Sequence, residues 1–270
     1  MAKGKFFTIE IKPDIVNGDI SDVIAANAAD APFGQGDVLF DWTSFTIPKG
    51  GAKLVSICAY VMGEDGGEQG DQDLGLIFAK QVNASAPASL GAGNAIMTTG
   101  FDMAAHFVGA AKLEGSTEGV GTIDGPAFGQ VYTSQMAHAQ GGSGAICVLE
   151  GEQTKRGVSG GYDTMYIAGF CGGAIDFSTG ILLDMAGDAD IDASTDELTS
   201  ITVDGVDPRK CFQVGDTAYV HDVDTQIPGT VASMTSTTIT FSETNSTIDI
   251  ANNDEIINAT PIRLILGFER

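Results

Sequence analysis

Leu54-Val55-Ser56-Ile57-Cys58-Ala59-Tyr60-Val61-Met62 decides the fold class. Its apolar residues fall on both parities, the pattern of a strand buried on both faces rather than of a helix with one apolar stripe. Pro48-Lys49-Gly50-Gly51 just before it is a turn. Upstream of the turn, Val38, Phe40 and Trp42 share one face while Phe45 and Ile47 fall on the other parity, which predicts a bulge near Thr43–Ser44. Downstream, past the acidic loop Glu64–Asp73, Leu74 to Val82 repeats the doubly apolar pattern. Lys5 to Lys12 alternates, with Phe7, Ile9 and Ile11 on one face and Thr8, Glu10 and Lys12 on the other. Ala145–Leu149, Met165–Cys171 and Ile262–Phe268 extend the set to roughly seven strands or more.

Helix signals are few. Ser21 is placed to cap a short Ala-rich turn through Ala29. Asp102 to Leu113 carries Met103, Phe107, Val108 and Ala111 at helical spacing, which predicts a helix that Gly109 weakens.

From about Gly180 to Asn258 the chain becomes rich in Asp and Thr, with short strand signals at Leu198–Val203, Thr217–His221, Thr230–Met234, Thr237–Phe241 and Ile248–Ile250. Phe212-Gln213-Val214-Gly215-Asp216-Thr217-Ala218-Tyr219-Val220 followed by Pro228-Gly229-Thr230-Val231 has the rhythm of a small five-stranded barrel, in which a Gly-Asp turn launches a strand and a Gly-x-Val begins its return. The expected fold is all-β. Residues 1–180 and 259–270 form a jelly-roll-like β-sandwich, and residues 181–258 form a small β-barrel-like domain inserted before the C-terminal strand.

The 270 residues carry 36 Asp and Glu against 13 Lys and Arg, a formal net charge of −23. That field repels nucleic acid and anionic membrane and keeps crowded copies soluble. Charged residues are only 18% of the chain, so the imbalance reflects scarce Lys and Arg as much as abundant acid. Hydrophobic residues at 43% set the chain apart from a disordered acidic tail. Gly, at 36 residues, is about twice its usual share, as a chain of many turns and close backbone approaches requires. Met1-Ala2-Lys3-Gly4-Lys5-Phe6-Phe7 lacks the apolar run of a secretory leader, and no apolar run approaches the ~20 residues of a membrane helix. Cys58, Cys147, Cys171 and Cys211 are widely spaced without a C-x-x-C, as expected of reduced core thiols in a protein made in a cytosol.

Candidate chemistry is thin. Gly157-Val158-Ser159-Gly160-Gly161 matches G-x-S-x-G, but Gln153-Thr154-Lys155-Arg156 precedes it where a strand is needed, and a strand rather than a helix follows. It reads as a Gly-rich hairpin loop. Glu64, Asp65, Glu68, Asp71 and Asp73 share one loop, and Asp188, Asp190 and Asp192 stand at alternate positions. Such oxygen-rich loops can hold Ca²⁺, although Ala193 and Thr199 stand where an EF-hand needs Gly and Glu. They read first as solvated loops. His106, His138 and His221 have no mutual metal-ligand spacing. No metal, cofactor or catalytic residue is therefore expected, and basic residues do not cluster into a nucleic-acid footprint.

Three stretches carry a resemblance: Leu90-Gly91-Ala92-Gly93-Asn94-Ala95, Val214-Gly215-Asp216-Thr217-Ala218-Tyr219-Val220-His221-Asp222, and Pro261-Ile262-Arg263-Leu264-Ile265-Leu266-Gly267-Phe268-Glu269-Arg270. In these the chain resembles virion structural proteins of marine tailed phages, including those infecting cyanobacteria. The compact, acidic, β-rich members of that class are often head decoration (cement) proteins. The resemblance implies a non-catalytic protein, made in the host cytoplasm, on the outer capsid surface of the virion. Its implied partners are the major capsid protein and further copies of itself, commonly as a trimer, with no nucleic acid and no membrane. Phe6, Phe7 and Ile9 on the first strand and the Trp42–Phe45 region are then contact points, or else they fill the sandwich core. A tail-tube or fibre component is the nearest alternative; a Ca²⁺-dependent carbohydrate-binding or hydrolase module is the alternative of another class.

Overall fold

The computed structural model describes residues 5–16, 33–62, 73–97, 103–113, 119–122, 129–135, 147–151, 162–173, 175, 177, 181–182, 198–221, 226–245, 252 and 254–270. Over these the protein is all-β with antiparallel sheets. The first part of the chain forms β1 (Phe6–Ile11), β2 (Val38–Pro48), β3 (Ala52–Met62), β4 (Leu74–Lys80), the short helix α1 (Met103–His106), β5 (Phe107–Leu113), β6 (Gly119–Thr122), β7 (Gly129–Gln135), β8 (Cys147–Leu149) and β9 (Tyr162–Cys171). Then come β10 (Ile181–Leu182), β11 (Leu198–Thr202), β12 (Thr217–His221), β13 (Gln226–Met234), β14 (Thr238–Asn245), β15 (Glu255–Asn258) and β16 (Ile262–Glu269).

One sheet runs β1-β16-β3-β7-β6, with β8 also on β3, and a second runs β2-β9-β4-β5. Their apolar faces meet. Ile11, Leu54, Ile57, Ala59, Val61, Leu264, Leu266 and Phe268 from the first share a buried cluster with Phe40, Phe45, Ile47, Leu74, Leu76, Phe78, Met165 and Ile167 from the second. Alternation along β1 holds as the sequence predicts: Ile11 is buried, and Phe7 and Ile9 pack against the cluster. In β3, by contrast, one face is in the core while Lys53, Val55, Cys58 and Tyr60 on the other are only half-buried. The doubly apolar pattern of this strand overstates its burial, because no second layer seals the outer face among the described residues.

The bulge expected near Thr43–Ser44 lies slightly earlier. β2 slips against β9 between Val38 and Phe40 and again between Phe40 and Thr43. These slips put Phe40, Phe45 and Ile47 into the main core and leave Val38 and Trp42 in a small cluster with Leu90 and Ala168 on the opposite face.

The helix expected over Asp102–Leu113 is not formed. Only Met103–His106 is helical, and Phe107–Leu113 is the strand β5, paired from Leu74↔Leu113 to Ala79↔Phe107 along β4. Gly109 weakens the helix, Val108 favours a strand, and the open edge of β4 supplies hydrogen bonds that an isolated turn lacks. The Ser21–Ala29 turn and the Ile248–Ile250 strand lie outside the described residues.

The third sheet, β10-β15-β12-β13-β14-β11, draws every strand from residues 181 to 258. Its register slips between Leu198 and Ser200, between Ala218 and Val220, and between Val231 and Ser233. Bulges of this kind add bend and twist. The sheet curls around its own side chains, Ile201, Phe212, Val220, Val231, Ile239, Phe241 and Ile256, as an open half-barrel whose end strands β10 and β11 do not pair. Among the described residues the closed five-stranded barrel suggested by the sequence is not reached. The Gly-Asp turn does launch β12: Gly215 adopts φ +91°, its N–H donates to the Val231 carbonyl, and the Val231 N–H returns to the Asp216 carbonyl.

Candidate functional site

Residues expected as contact points divide between surface and core. Phe6 is 71% exposed, whereas Phe45 is 6% exposed within the main core. Phe7 is half-buried and stacks on Phe268 with ring centroids 5.2 Å apart. Ile9 packs on the same core from β1. Trp42 lies on the other face of its sheet, where its indole N–H donates to the Ala88 carbonyl at 2.9 Å. The five residues do not form one surface; Phe6 alone among them presents most of its side chain to water.

Phe6 stands on a sheet edge. β1 pairs with β16 from Phe6↔Glu269 to Ile11↔Leu264, and no described strand lies on its other side. The Lys5 and Arg270 backbones exchange N–H···O bonds at 3.2 and 3.0 Å, so this is a hydrogen-bonded pair. Such pairs alternate along an antiparallel ladder. Phe7, Ile9 and Ile11 therefore direct their peptide groups to β16, and Phe6, Thr8 and Glu10 direct theirs outward. The side chains of these three residues are also exposed.

Charge is distributed unevenly along this edge. Beside Phe6 stand Lys5 and Arg270, whose guanidinium donates to the Lys49 carbonyl, and Lys53 pairs with Glu269 at 3.3 Å. At the other end, Glu10 accepts a hydrogen bond from Arg263 Nη2 at 2.8 Å, and that bond holds its carboxyl below the usual carboxylate range. Asp14 lies exposed just beyond.

β1 leads into a buried polar junction that sequence reading missed. Lys12 Nζ donates to Asp216 Oδ1 at 2.8 Å, and Asp216 is 1% exposed. Asp216 Oδ2 also accepts from the Gln213 N–H at 2.8 Å and from Asn258 Nδ2 at 2.9 Å. Asn258 Nδ2 donates further to the Cys211 carbonyl at 2.8 Å, and its Oδ1 receives the Thr260 N–H at 2.8 Å. Each polar group here is paired, as burial demands. The junction positions β1 and β16 against the half-barrel; its saturated hydrogen bonding suits a strut rather than a reactive centre.

Among the described residues no group of three His, Cys, Asp or Glu side chains is placed to hold a metal ion. His106 Nδ1 lies 2.8 Å from the Lys80 carbonyl. Glu64–Asp71, Asp188, Asp190, Asp192, Gly157–Gly161 and His138 lie outside the described residues. Asp207 is held down to about 2 by its hydrogen bonds with Arg209, which cap the 3-10 turn Pro208–Lys210. Compared with known proteins, the chain matches no family model, no curated protein and no solved structure.

Proposed function

We propose that the protein is a phage virion structural protein, a head decoration protein that binds the outer capsid lattice as a homo-oligomer and performs no catalysis. The observation that carries this reading is the strand pairing. Leaving out the marginal β6 and β8, eight strands in chain order (β1, β2, β3, β4, β5, β7, β9 and β16) pair first with eighth, second with seventh, third with sixth and fourth with fifth. That is the pairing of one long hairpin rolled into two facing sheets, the jelly roll, an architecture found in viral capsid and lectin domains. In this reading residues 1–180 and 259–270 are a jelly-roll sandwich. Residues 181–258 are a separate half-barrel domain inserted between its seventh and eighth strands.

Fold alone does not fix function. Two further features favour the outer face of a shell. The net charge of −23 opposes contact with packaged DNA, and the resemblance to phage virion proteins lies in Leu90–Ala95 after β4, in Val214–Asp222 of the half-barrel and in Pro261–Arg270 with the last jelly-roll strand. Lectin jelly rolls make sugar binding the competing outcome.

The test is binding of purified protein to expanded capsids that lack decoration, read by co-sedimentation and by low-resolution imaging of the particles. Density on the outer shell at saturating protein is the expected result. Density on the tail, or no binding together with retention on an immobilised glycan, overturns it.

A further inference from the structure

We propose that the outer edge of β1, on which no described strand lies, pairs with a second copy of this chain, the two β1 strands running antiparallel about a two-fold axis through Thr8. This inference goes beyond the decoration reading and stands or falls without it.

Hydrogen-bonding geometry selects the register. Phe6, Thr8 and Glu10 direct their peptide groups away from β16, so only these can bond a new strand. A two-fold axis normal to the sheet keeps core-facing side chains on the core-facing side, which requires even positions to meet even positions. Centred on Thr8, the axis sets Phe6 opposite the partner's Glu10 and Thr8 opposite the partner's Thr8. All three outward residues of each β1 are then used, making about six backbone hydrogen bonds. Centring on Phe6 or Glu10 leaves outward groups of β1 unmet.

Side chains and charges agree with this register. On the core-facing side Phe7 comes opposite the partner's Ile9, two half-buried apolar residues extending one layer. On the outer side the exposed ring of Phe6 is covered by the partner's Glu10, whose charge Arg263 already balances. At the strand ends, exposed Lys5 is laid toward the partner's end that carries exposed Asp14, while Glu10 and Lys12 at that end are already paired with Arg263 and Asp216. Edge strands that must stay single are usually blunted by Pro, inward charge or a bulge, and Phe6–Ile11 has none of these. The overall charge opposes association, but exposed charges more than about 8 Å apart are largely screened at physiological salt, and the contact itself is locally complementary.

Thr8→Cys reads the register. Opposite residues of a bonded pair have Cα atoms about 5.5 Å apart, within disulfide range. Phe6→Cys and Glu10→Cys would each place the two copies of the new thiol about four residues, roughly 13 Å, from each other. Under mild oxidation Thr8→Cys is expected to form a linked dimer at least tenfold faster than either of these variants or the wild type. Thr8→Pro removes an outward N–H that no β16 carbonyl uses, so the fold is retained by circular dichroism while the wild-type dimer, measured by sedimentation at physiological salt, weakens more than tenfold. A wild-type monomer, a trimer indifferent to Thr8→Pro, or equal cross-linking at positions 6, 8 and 10 overturns the pairing. Capsid binding by an indifferent trimer would leave the decoration reading standing; a Thr8-dependent dimer that ignores capsids would do the reverse.

Discussion

The ammonium of Lys12 lies 2.8 Å from Oδ1 of Asp216, joining residues 204 positions apart and fastening the exit of β1 to the half-barrel sheet. Around it, Gln213 and Asn258 complete the carboxylate's hydrogen bonds. Lys12→Ala leaves the buried Asp216 carboxylate without its counter-charge, a change that costs up to about 3–5 kcal/mol and that the Gln213 and Asn258 donors reduce. Asp216→Ala removes the buried charge, lets the partly exposed Lys12 turn to water, and leaves the Gln213 N–H without its acceptor, so a loss of about 1–3 kcal/mol is expected in urea unfolding. Losses below about 0.5 kcal/mol for both, the level of ordinary surface changes, would remove the junction from any structural role.

Gly169 on β9 is held against the ring of Phe40, and a Cβ added there would sit 2.2 Å from Phe40 Cε1. The ring is 1% exposed. Here an aromatic side chain covers the hole that a glycine leaves in the neighbouring strand. Gly169→Ala is expected to destabilise by about 1–3 kcal/mol through overpacking, lowering Tm by several degrees. Combining it with Phe40→Leu should cost less than the sum of the two single changes, since the clash is then relieved. Additive losses in calorimetry would show that the two residues do not press on each other.

Much of this architecture is legible in the sequence, and its gaps have physical causes. Alternation in Lys5–Lys12 identifies the core face of β1, and the Asp- and Thr-rich texture after Gly180 marks the segment that supplies the third sheet. Parity also places Phe6 on the side of Thr8 and Glu10, away from the core, so its exposure is readable. Phe107–Leu113 is not, because Met103, Phe107, Val108 and Ala111 fit a helical spacing while a pairing with β4 decides the outcome. β7 and β15 are missed for a similar reason: Gly129–Gln135 and Glu255–Asn258 are short or weakly apolar, and their neighbours in the sheet, β3 and β12, determine them. The Lys12–Asp216 contact depends wholly on tertiary placement. No local pattern distinguishes Asp216, at 1% exposure, from described acids that are exposed, such as Asp14, Asp204 and Glu243.

Ala84 adopts φ 62° in the tight turn between Val82 and Ser85, directly after Asn83 at φ 54°. Two successive positive φ values are those of a type I′ hairpin turn, for which Asn-Gly is the favoured pair. Alanine in the left-handed region carries roughly 1–2 kcal/mol of strain, partly offset by its smaller entropy loss on folding. Ala84→Gly is expected to stabilise by several tenths to about 1 kcal/mol, with a Tm rise of about 1–4 °C. A lower Tm would mean that the methyl group makes contacts worth more than the strain it imposes.

Cys171 closes β9 inside the core at 3% exposure, and burial, with a smaller contribution from Asp37, pushes its thiol up to about 12 from an ordinary 9.0. The sign of the linked stability follows from proton counts. Below pH 9 folded and unfolded chains both hold the proton, and the thiol exerts no pH dependence. Between 9 and about 12 the unfolded chain releases it while the folded chain retains it, so stability falls as pH rises, by at most about 1.4 kcal/mol per pH unit for one group. Urea midpoints of the wild type should therefore decline more steeply from pH 8.5 to 10.5 than those of Cys171→Ala, although that variant starts lower because of its cavity. The same burial orders thiol reactivity: half-buried Cys58 is expected to be alkylated in the native protein before Cys171 or Cys211, both buried. Equal slopes in the two titrations, with Cys171 labelled as fast as Cys58, would place that thiol in contact with water rather than behind β2 and β4.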